Sequence, residues 1–557
     1  MAHSEDSPLV SIAGPAAILG FALLTLGLHL NRAASHPAHL AALLRGSGGN
    51  LASVSLIDAH GGSWEAELAA LLAAAVLILG SLVLRLRGRA RVAPGLLGRA
   101  RRAGARDLRH LRRRFREDLQ RGPRVRLGDH RRRPLWLPPD EHLLALGPTG
   151  SGKSSALAIP ALLEWPGPVV VTDPKGELVR STLAHRRRLG ATAVFAPLMR
   201  PTSRWDPVAA IQSSEDALRV STFLMGKSPE REPFWHDLAR QLLHGLLVEA
   251  CQQQLTLGGL LEMLQVIPAE ELADEVRHAS ARRLVQGALS GGDRTAMGVV
   301  ATLVSQLGAY GSEQVAEATS SSDFDPADLA GGKLGTIYCV VSPHDAPVLR
   351  GLISALISCC WRSLFAAPPS PPALFVLDEF TQLTNLPELP ALVQLGRSQG
   401  VRLMLMAQDL GSITATYGSE ASGALWSNCR TKLVLPGISE LELLERVSKL
   451  AGTATLHRAR DPWSSEPVAS SPLLHPDDVR RLGPSQALLL HGGDQPAIIQ
   501  QHRWFADRAL SARVGHGPQM ELPQPARGRP IRDWTDSDPR RLPSVTPLRW
   551  DPADVDA

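Results

Sequence analysis

The chain has 557 residues, 44% of them hydrophobic, and a formal net charge of +5. That is too long for one ordinary domain and enough for at least two cores. Five cysteines (Cys251, Cys339, Cys359, Cys360 and Cys429) make no CxxC pair and no Cys/His set with metal spacing, which argues against a disulfide framework or a zinc site and for buried thiols in a reducing compartment.

Residues 8 to 30 contain no charged side chain, and residues 66 to 84 carry only Glu67. At 1.5 Å per residue, each predicts a helix able to cross a bilayer core of about 30 Å. A cleaved signal peptide fits the first poorly, because no basic region precedes it and the apolar stretch is too long. The intervening loop has only Arg32 and Arg45 as cations, whereas Arg85, Arg87, Arg89 and Arg91 follow the second span directly. Positive charge stays inside. The expectation is a multi-pass membrane protein, both termini and the bulk of the chain being cytoplasmic.

Residues 85 to 133 hold nineteen arginines against four acids, a local charge of +15 that leaves −10 for the rest. Such a block suits anionic lipid headgroups, each cation contributing on the order of 1 kcal/mol, or nucleic acid phosphates; a solvated linker is the plain alternative. Only six lysines accompany fifty-three arginines. Two of the six, Lys153 and Lys175, fall in motifs where a compact point charge is the useful cation.

From residue 141, apolar runs ending at Gly or Pro (HLLALGP, PVVVTDP, ATAVFAP) alternate with helical stretches, the pattern of a parallel α/β sheet buried on both faces. Runs at 334–342, 373–377, 401–407 and 431–435 predict further strands. Between the two sets, Trp235, Leu238, Leu242, Leu246 and Ala250 recur at helical spacing, similar patterns occupy 257–286 and 294–307, and Ser213 or Ser214 can cap the first helix. The expected organisation is a membrane anchor (1–84), a basic juxtamembrane segment (85–135), a nucleotide-binding domain in two parts (136–212 and 331–510) interrupted by an all-α domain (213–330), and a Pro- and Arg-rich flexible tail (511–557).

GPTGSGKS fits GxxxxGK[ST] between a strand and a helix. Gly147, Pro148, Thr149, Gly150, Ser151, Gly152, Lys153, Ser154 and Ser155 would cradle the phosphates, with Lys153 at the terminal phosphates and Ser154 on magnesium. LFVLDEF puts Asp378 and Glu379 at a strand end, Asp378 suited to the magnesium shell and Glu379 to polarising the attacking water. Gln408, just past VRLMLMA, suits a terminal-phosphate sensor, and Arg397 a finger supplied to a neighbouring subunit. A strand-end amide and a surface arginine are their ordinary alternatives. Asp173, Lys175 and Glu177 occupy a tight turn, DPKGE, with a simple turn salt bridge as the alternative.

These segments, with SRWDPV, FWHDLARQLLHGLL, LGTIYCVVSPHD, GRSQGVRLMLMAQDLGSI and HGGDQPAII, give a chain that resembles the type IV coupling proteins, the TraG-like ATPases of type IV secretion systems, over most of residues 141–507. Asp206 departs from the asparagine usual in that family. The resemblance implies a RecA-like P-loop domain with an inserted all-α domain, preceded by two transmembrane helices and assembled as a hexamer. It implies ATP and Mg2+ as cofactors, Asp378 and Glu379 as the acidic pair, Arg397 as the trans finger and Gln408 as the sensor. It further implies single-stranded DNA with its relaxase or accessory protein as partner, and delivery to channel proteins at the inner membrane during conjugation. Transport of protein effectors and an FtsK-like double-strand pump are the alternatives, the latter without the helix-turn-helix module usual in its class.

Overall fold

The structure is a computed structural model that describes residues 100–112, 123–229, 233–396, 398–456, 469–515, 517–518 and 520–521. The expected spans at 8–30 and 66–84, much of the arginine block, and Arg397 lie outside these residues. Two compact units divide the chain, Met1–Leu97 with Thr455–Ser470, and Gly98–Ala454 with Ser471–Ala557. The second carries the main sheet.

Its strands are β1 (Arg126–His130), β2 (Arg133–Trp136), β3 (Leu143–Leu146), β4 (Val169–Asp173), β5 (Ala191–Phe195), β6 (Leu334–Val340), β7 (Ala373–Leu377), β8 (Val401–Ala407) and β9 (Thr431–Val434), then β12 (Gln486–His491) and β13 (Ala497–Gln500). Thr453–Leu456 (β10) and Ala469–Pro472 (β11) form a separate two-stranded sheet. The order across the main sheet is β2-β1-β13-β12-β9-β3-β8-β7-β4-β6-β5. From β9 to β5 every neighbouring pair is parallel. Beyond β9, β12, β13, β1 and β2 continue it antiparallel. The sheet is therefore mixed, where the sequence had predicted a parallel one.

Every residue of β3, β4, β7 and β8 is buried, because helices cover both faces of the parallel part. Alternation sends Leu143, Ala145, Val171, Met404 and Met406 to one layer, with Leu157, Leu162, Leu178 and Leu183 of the helices after β3 and β4. Leu144, Leu146, Val170, Leu403 and Leu405 face the other layer, built on helix Ala346–Ala366 and the helices that precede it. Helix Ala346–Ala366 is long and apolar enough to cross a membrane by length and composition. It is a core helix here, burying Leu349, Leu352, Ile353, Leu356, Ile357 and Leu364.

Between β5 and β6 the described residues contain helices and no strand. Ser213 caps the first, Ser214–Met225, by accepting from Asp216 N at 3.2 Å. Helix Pro233–Gln253 buries Ala239, Leu242, Leu243, Leu246 and Ala250, the stripe that three-to-four spacing requires. Its buried face shares one core with helix Ala346–Ala366 and the sheet.

The sheet domain is larger at both ends than the limits of 136 and 510 expected from sequence. Leu108, Leu111, Leu127 and Leu135, within the arginine-rich segment, are buried. Short edge strands carry charge on their open side, and arginines around single leucines mask the period-two pattern. Past residue 510, Gly517 N donates to Arg180 O at 2.8 Å, and Arg200 N to Glu521 O at 2.8 Å. The first residues of the expected tail thus lie against the nucleotide-side helices.

The cysteines are free, with Cys339, Cys360 and Cys429 buried and Cys251 and Cys359 half-buried. Burial pushes the Cys339, Cys359 and Cys429 thiols up to about 12, which suits packing rather than chemistry.

Candidate nucleotide site at the carboxyl edge of the sheet

Parallel strands deliver their carboxyl ends to one edge, where α/β folds place ligands. β3 ends at Leu146 and runs into the Gly147–Gly152 loop, which closes on a wide turn of helix, Lys153–Ala158, continued by Ile159–Glu164. Gly150 and Gly152 take φ of 82° and 105°, values that L side chains resist. At Gly152 a Cβ would also push aside the Gln501 amide.

Two other strand ends meet this loop. β7 ends at Leu377, and Asp378 and Glu379 follow. Glu379 has φ 49°, an unusual conformation for a side chain of its size and one that turns its carboxylate back toward the loop. β4 ends at Asp173, whose Oδ2 accepts from Val179 N at 2.9 Å and Oδ1 from Lys175 N at 3.2 Å. Asp173 thereby holds the start of helix Glu177–Leu189. Thr172 Oγ1 donates to Asp378 O at 2.8 Å, tying the two strand ends together.

The resulting cleft is lined by the loop from Pro148 to Gly150, by Gly152 to Ser155, by Asp173, Pro174, Lys175, Glu177 and Leu178, and by Asp378, Glu379 and Arg503. Lys153 Nζ lies 3.1 Å from Glu379 Oε1 and donates to Gly147 O and, at 3.3 Å, Pro148 O. Ser154 Oγ donates to Asp378 Oδ2 at 3.4 Å. Lysine, serine and both acids are thus brought within reach of one another.

The electrostatics are costly. Burial, aided by Glu379 and opposed by Lys153, pushes Asp378 up to about 7, and burial pushes Asp173 up to about 6 against its backbone donors. Asp378 Oδ1 and Glu379 Oε2 are buried with no hydrogen-bond partner. Unsatisfied carboxylate oxygens around a single lysine are what a site for a hard cation with an anionic ligand requires.

Some expected residues stand off the cleft wall. Gly147 and Ser151 support the loop from behind, Gly147 N donating to Ala407 O at 3.1 Å. Gln408 follows β8, the strand between β3 and β7, and is half-buried beside the cleft. Lys175 is exposed at the rim and Glu177 half-buried.

Sequence reasoning missed Arg503 and Gln501. Gln501 Nε2 donates to Ser151 O at 2.9 Å, bracing the loop from the end of β13. No local motif marks either residue. In a chain with fifty-three arginines, one more attracts no notice.

Comparison with known proteins supplies what geometry leaves open. The family model described as type IV secretory system conjugative DNA transfer matches residues 107–525. The chain belongs to that family, the type IV coupling proteins. This coupling protein is similar to Protein VirD4 of Rhizobium rhizogenes, 27% identical over 416 residues that cover 69% of this chain and 61% of that one. A conjugal transfer protein TraG of Escherichia coli is 25% identical over 447 residues, 67% of this chain and 69% of that one. The chain thus spans only about three fifths of the length of VirD4.

Among solved structures, the bacterial conjugative coupling protein TrwBdeltaN70 with sulphate matches at TM-score 0.57 and 19% identity, covering 79% of this chain and 98% of that one. TrwB in complex with ADP and Mg2+ matches at TM-score 0.56 and 19% identity, covering 79% and 97%. That likeness establishes the fold, a RecA-like α/β nucleotide-binding fold on a mixed sheet.

Proposed function

We propose that this coupling protein is a membrane-anchored ATPase that recruits single-stranded DNA with its bound relaxase and drives it toward a type IV secretion channel. One observation carries the reading: Lys153, Ser154, Asp378 and Glu379 converge in a single cleft of a chain of this family. The TrwB structures in complex with ADP and Mg2+ and with the ATP analogue ADPNP support the choice of ligand.

The loop from Gly147 to Ser155 would take the phosphates on its backbone N–H groups, at the positive end of the following helix. Ser154 and Asp378 would hold Mg2+, which when bound neutralises phosphate charge. Lys153 would exchange Glu379 for a phosphate oxygen, because a tetravalent anion outcompetes one carboxylate for the ammonium. Glu379, released, would orient a water and accept its proton. Asp173 would keep Lys175 and Glu177 at the rim by fixing the turn. Gln408, between the P-loop strand and the Asp378 strand, would register loss of the terminal phosphate. Arg397 would serve the site of a neighbouring subunit in a homo-oligomer, of which a hexamer is the expected form.

The spans at 8–30 and 66–84 would anchor the chain in the inner membrane, with neighbouring arginines against anionic lipid. DNA contacts made mainly to phosphates should be sensitive to salt and poor in sequence preference. The test is the ATPase rate of the full chain in detergent, with and without single-stranded DNA. Stimulation that fades with salt is expected; turnover indifferent to single strands at every salt concentration would remove DNA from the proposal and leave a motor for protein cargo.

A further inference from the structure

The opposite edge of the sheet carries a second polar cluster that the nucleotide chemistry does not use. β12 ends there at His491, and the turn through Gly492 returns the chain so that Asp494 N donates to His491 O at 2.8 Å. Asp494 Oδ2 then sits 2.6 Å from His491 Nδ1. The short helix Arg109–Leu111, fixed by buried Leu108 and Leu111, presents His110 to the same point. His110 Nε2 is 3.3 Å from His491 Nδ1 and 3.0 Å from Asp494 Oδ2.

We propose that His110, His491 and Asp494 bind a zinc-class divalent ion that clasps the arginine-rich segment to the nucleotide-binding domain. Bonds of about 2.0–2.1 Å at a tetrahedral ion place two ligand atoms about 3.3 Å apart, the separation of the two imidazole nitrogens. The nitrogen–oxygen distances, 2.6 Å to His491 and 3.0 Å to His110, must open toward the same value, which a rotation of the half-exposed Asp494 carboxylate supplies. A second carboxylate orients the buried ring: Glu141 Oε2 lies 3.0 Å from His491 Nε2 and accepts from Thr431 Oγ1 at 2.8 Å. Without an ion, Nδ1 shares a proton with Asp494 at 2.6 Å; a metal would displace that proton to solvent, while Glu141 keeps the one on Nε2, the tautomer a metal requires.

Exposure fits the same use. The His491 side chain is 4% exposed, whereas those of His110 and Asp494 are 46% and 31% exposed, so an ion can enter and solvent can supply a fourth ligand. Spacing along the chain hides the set, since His110 and His491 are 381 positions apart. The ion would join the segment nearest the arginine block to the strand ends at the other side of the sheet from the cleft, a clasp rather than a reacting centre.

Full-length protein in detergent, stripped with chelator and dialysed against Zn2+ in excess Mg2+, tests this. The wild type should retain Zn2+ stoichiometrically, melt at higher temperature with the ion than without it, and give the strong visible absorption of a four-coordinate ion when Co2+ replaces it. His110→Ala, at a half-exposed position, should lose all three properties while keeping its circular dichroism. Glu141→Gln should weaken Zn2+ binding by about 10-fold or more. Failure of the wild type to retain Zn2+, or equal retention by His110→Ala, would show the cluster to be a hydrogen-bonded network and overturn the site.

Discussion

The two ends of β3 show what a polar cluster is for. At the carboxyl end, Asp173, Asp378 and Glu379 gather around one lysine, and two of their buried oxygens have no partner. At the amino end Glu141 is also largely buried, yet its oxygens meet His491, Thr431 and Arg430. Burial works against its ionisation, but those partners hold it below its ordinary range. Burial costs both groups, and only the second is offset within the chain. The difference teaches where the fold waits for a ligand: at the carboxyl edge for a nucleotide and its cation, and at the amino edge only for the small ion between His110 and His491.

Removing the cation at the carboxyl end gives the largest expected effect. Lys153→Ala should leave the protein folded and in the membrane fraction while lowering nucleotide turnover by at least ~1000-fold, since no other charge reaches the phosphates from within the loop. Loss of membrane insertion in this variant, read by fractionation, would instead make Lys153 structural.

A carboxylate exchange sharpens the comparison. Asp378 is pushed up to about 7, so in the free protein ionising it costs the fold something as pH rises from about 4 to about 7, on the order of 4 kcal/mol by linkage. Asp378→Asn should raise the melting temperature at pH 8 and abolish Mg2+-dependent turnover, a trade of stability for function. An unchanged or lower melting temperature would mean that the charge is already compensated.

Asp206 supplies the control. It belongs to neither cluster, is buried, and is pushed up to about 6 by that burial, while Oδ1 accepts from Val208 N at 3.0 Å and Leu257 N at 3.3 Å. The cost of ionising it is absent below about pH 4, grows toward pH 6 and persists above, about 2–3 kcal/mol in all. Asp206→Asn keeps the acceptor and removes the charge. It should stabilise the protein at pH 8 more than at pH 5, with turnover retained; thermal melts at the two pH values decide.

Arg503 gives the smallest effect. It lines the cleft, but Nη2 is engaged with Pro484 O at 2.8 Å, so Arg503→Ala should weaken nucleotide binding by only about 3- to 10-fold. A loss as large as that of Lys153→Ala would give Arg503 a phosphate contact.

The same two-sidedness explains what could be read from the sequence. β4, β7 and β8 are buried on both faces, and PVVVTDP, LFVLDEF and VRLMLMA announce them as unbroken apolar runs. Their strand-end residues, Asp173, Asp378 and Glu379, were legible for the same reason. β1 and β2 contain Leu127 and Leu135 among Arg126, Asp129 and Arg133, so their one buried face was lost in the charge of the other. Gln501, Arg503 and the His110–His491 pair come together only through antiparallel pairing beyond β9, which no local motif records. Gln408 was expected from its place after β8, but the residues that line the cleft follow β3, β4, β7 and β13 instead.

Mg2+-dependent ATP hydrolysis by the full chain in detergent, beside Glu379→Gln, tests the central claim most directly. Turnover in the wild type, about 100-fold or more slower in the variant with nucleotide binding retained, is predicted. Binding of equal strength with no hydrolysis in either protein would contradict it and leave a nucleotide-controlled scaffold in place of a motor.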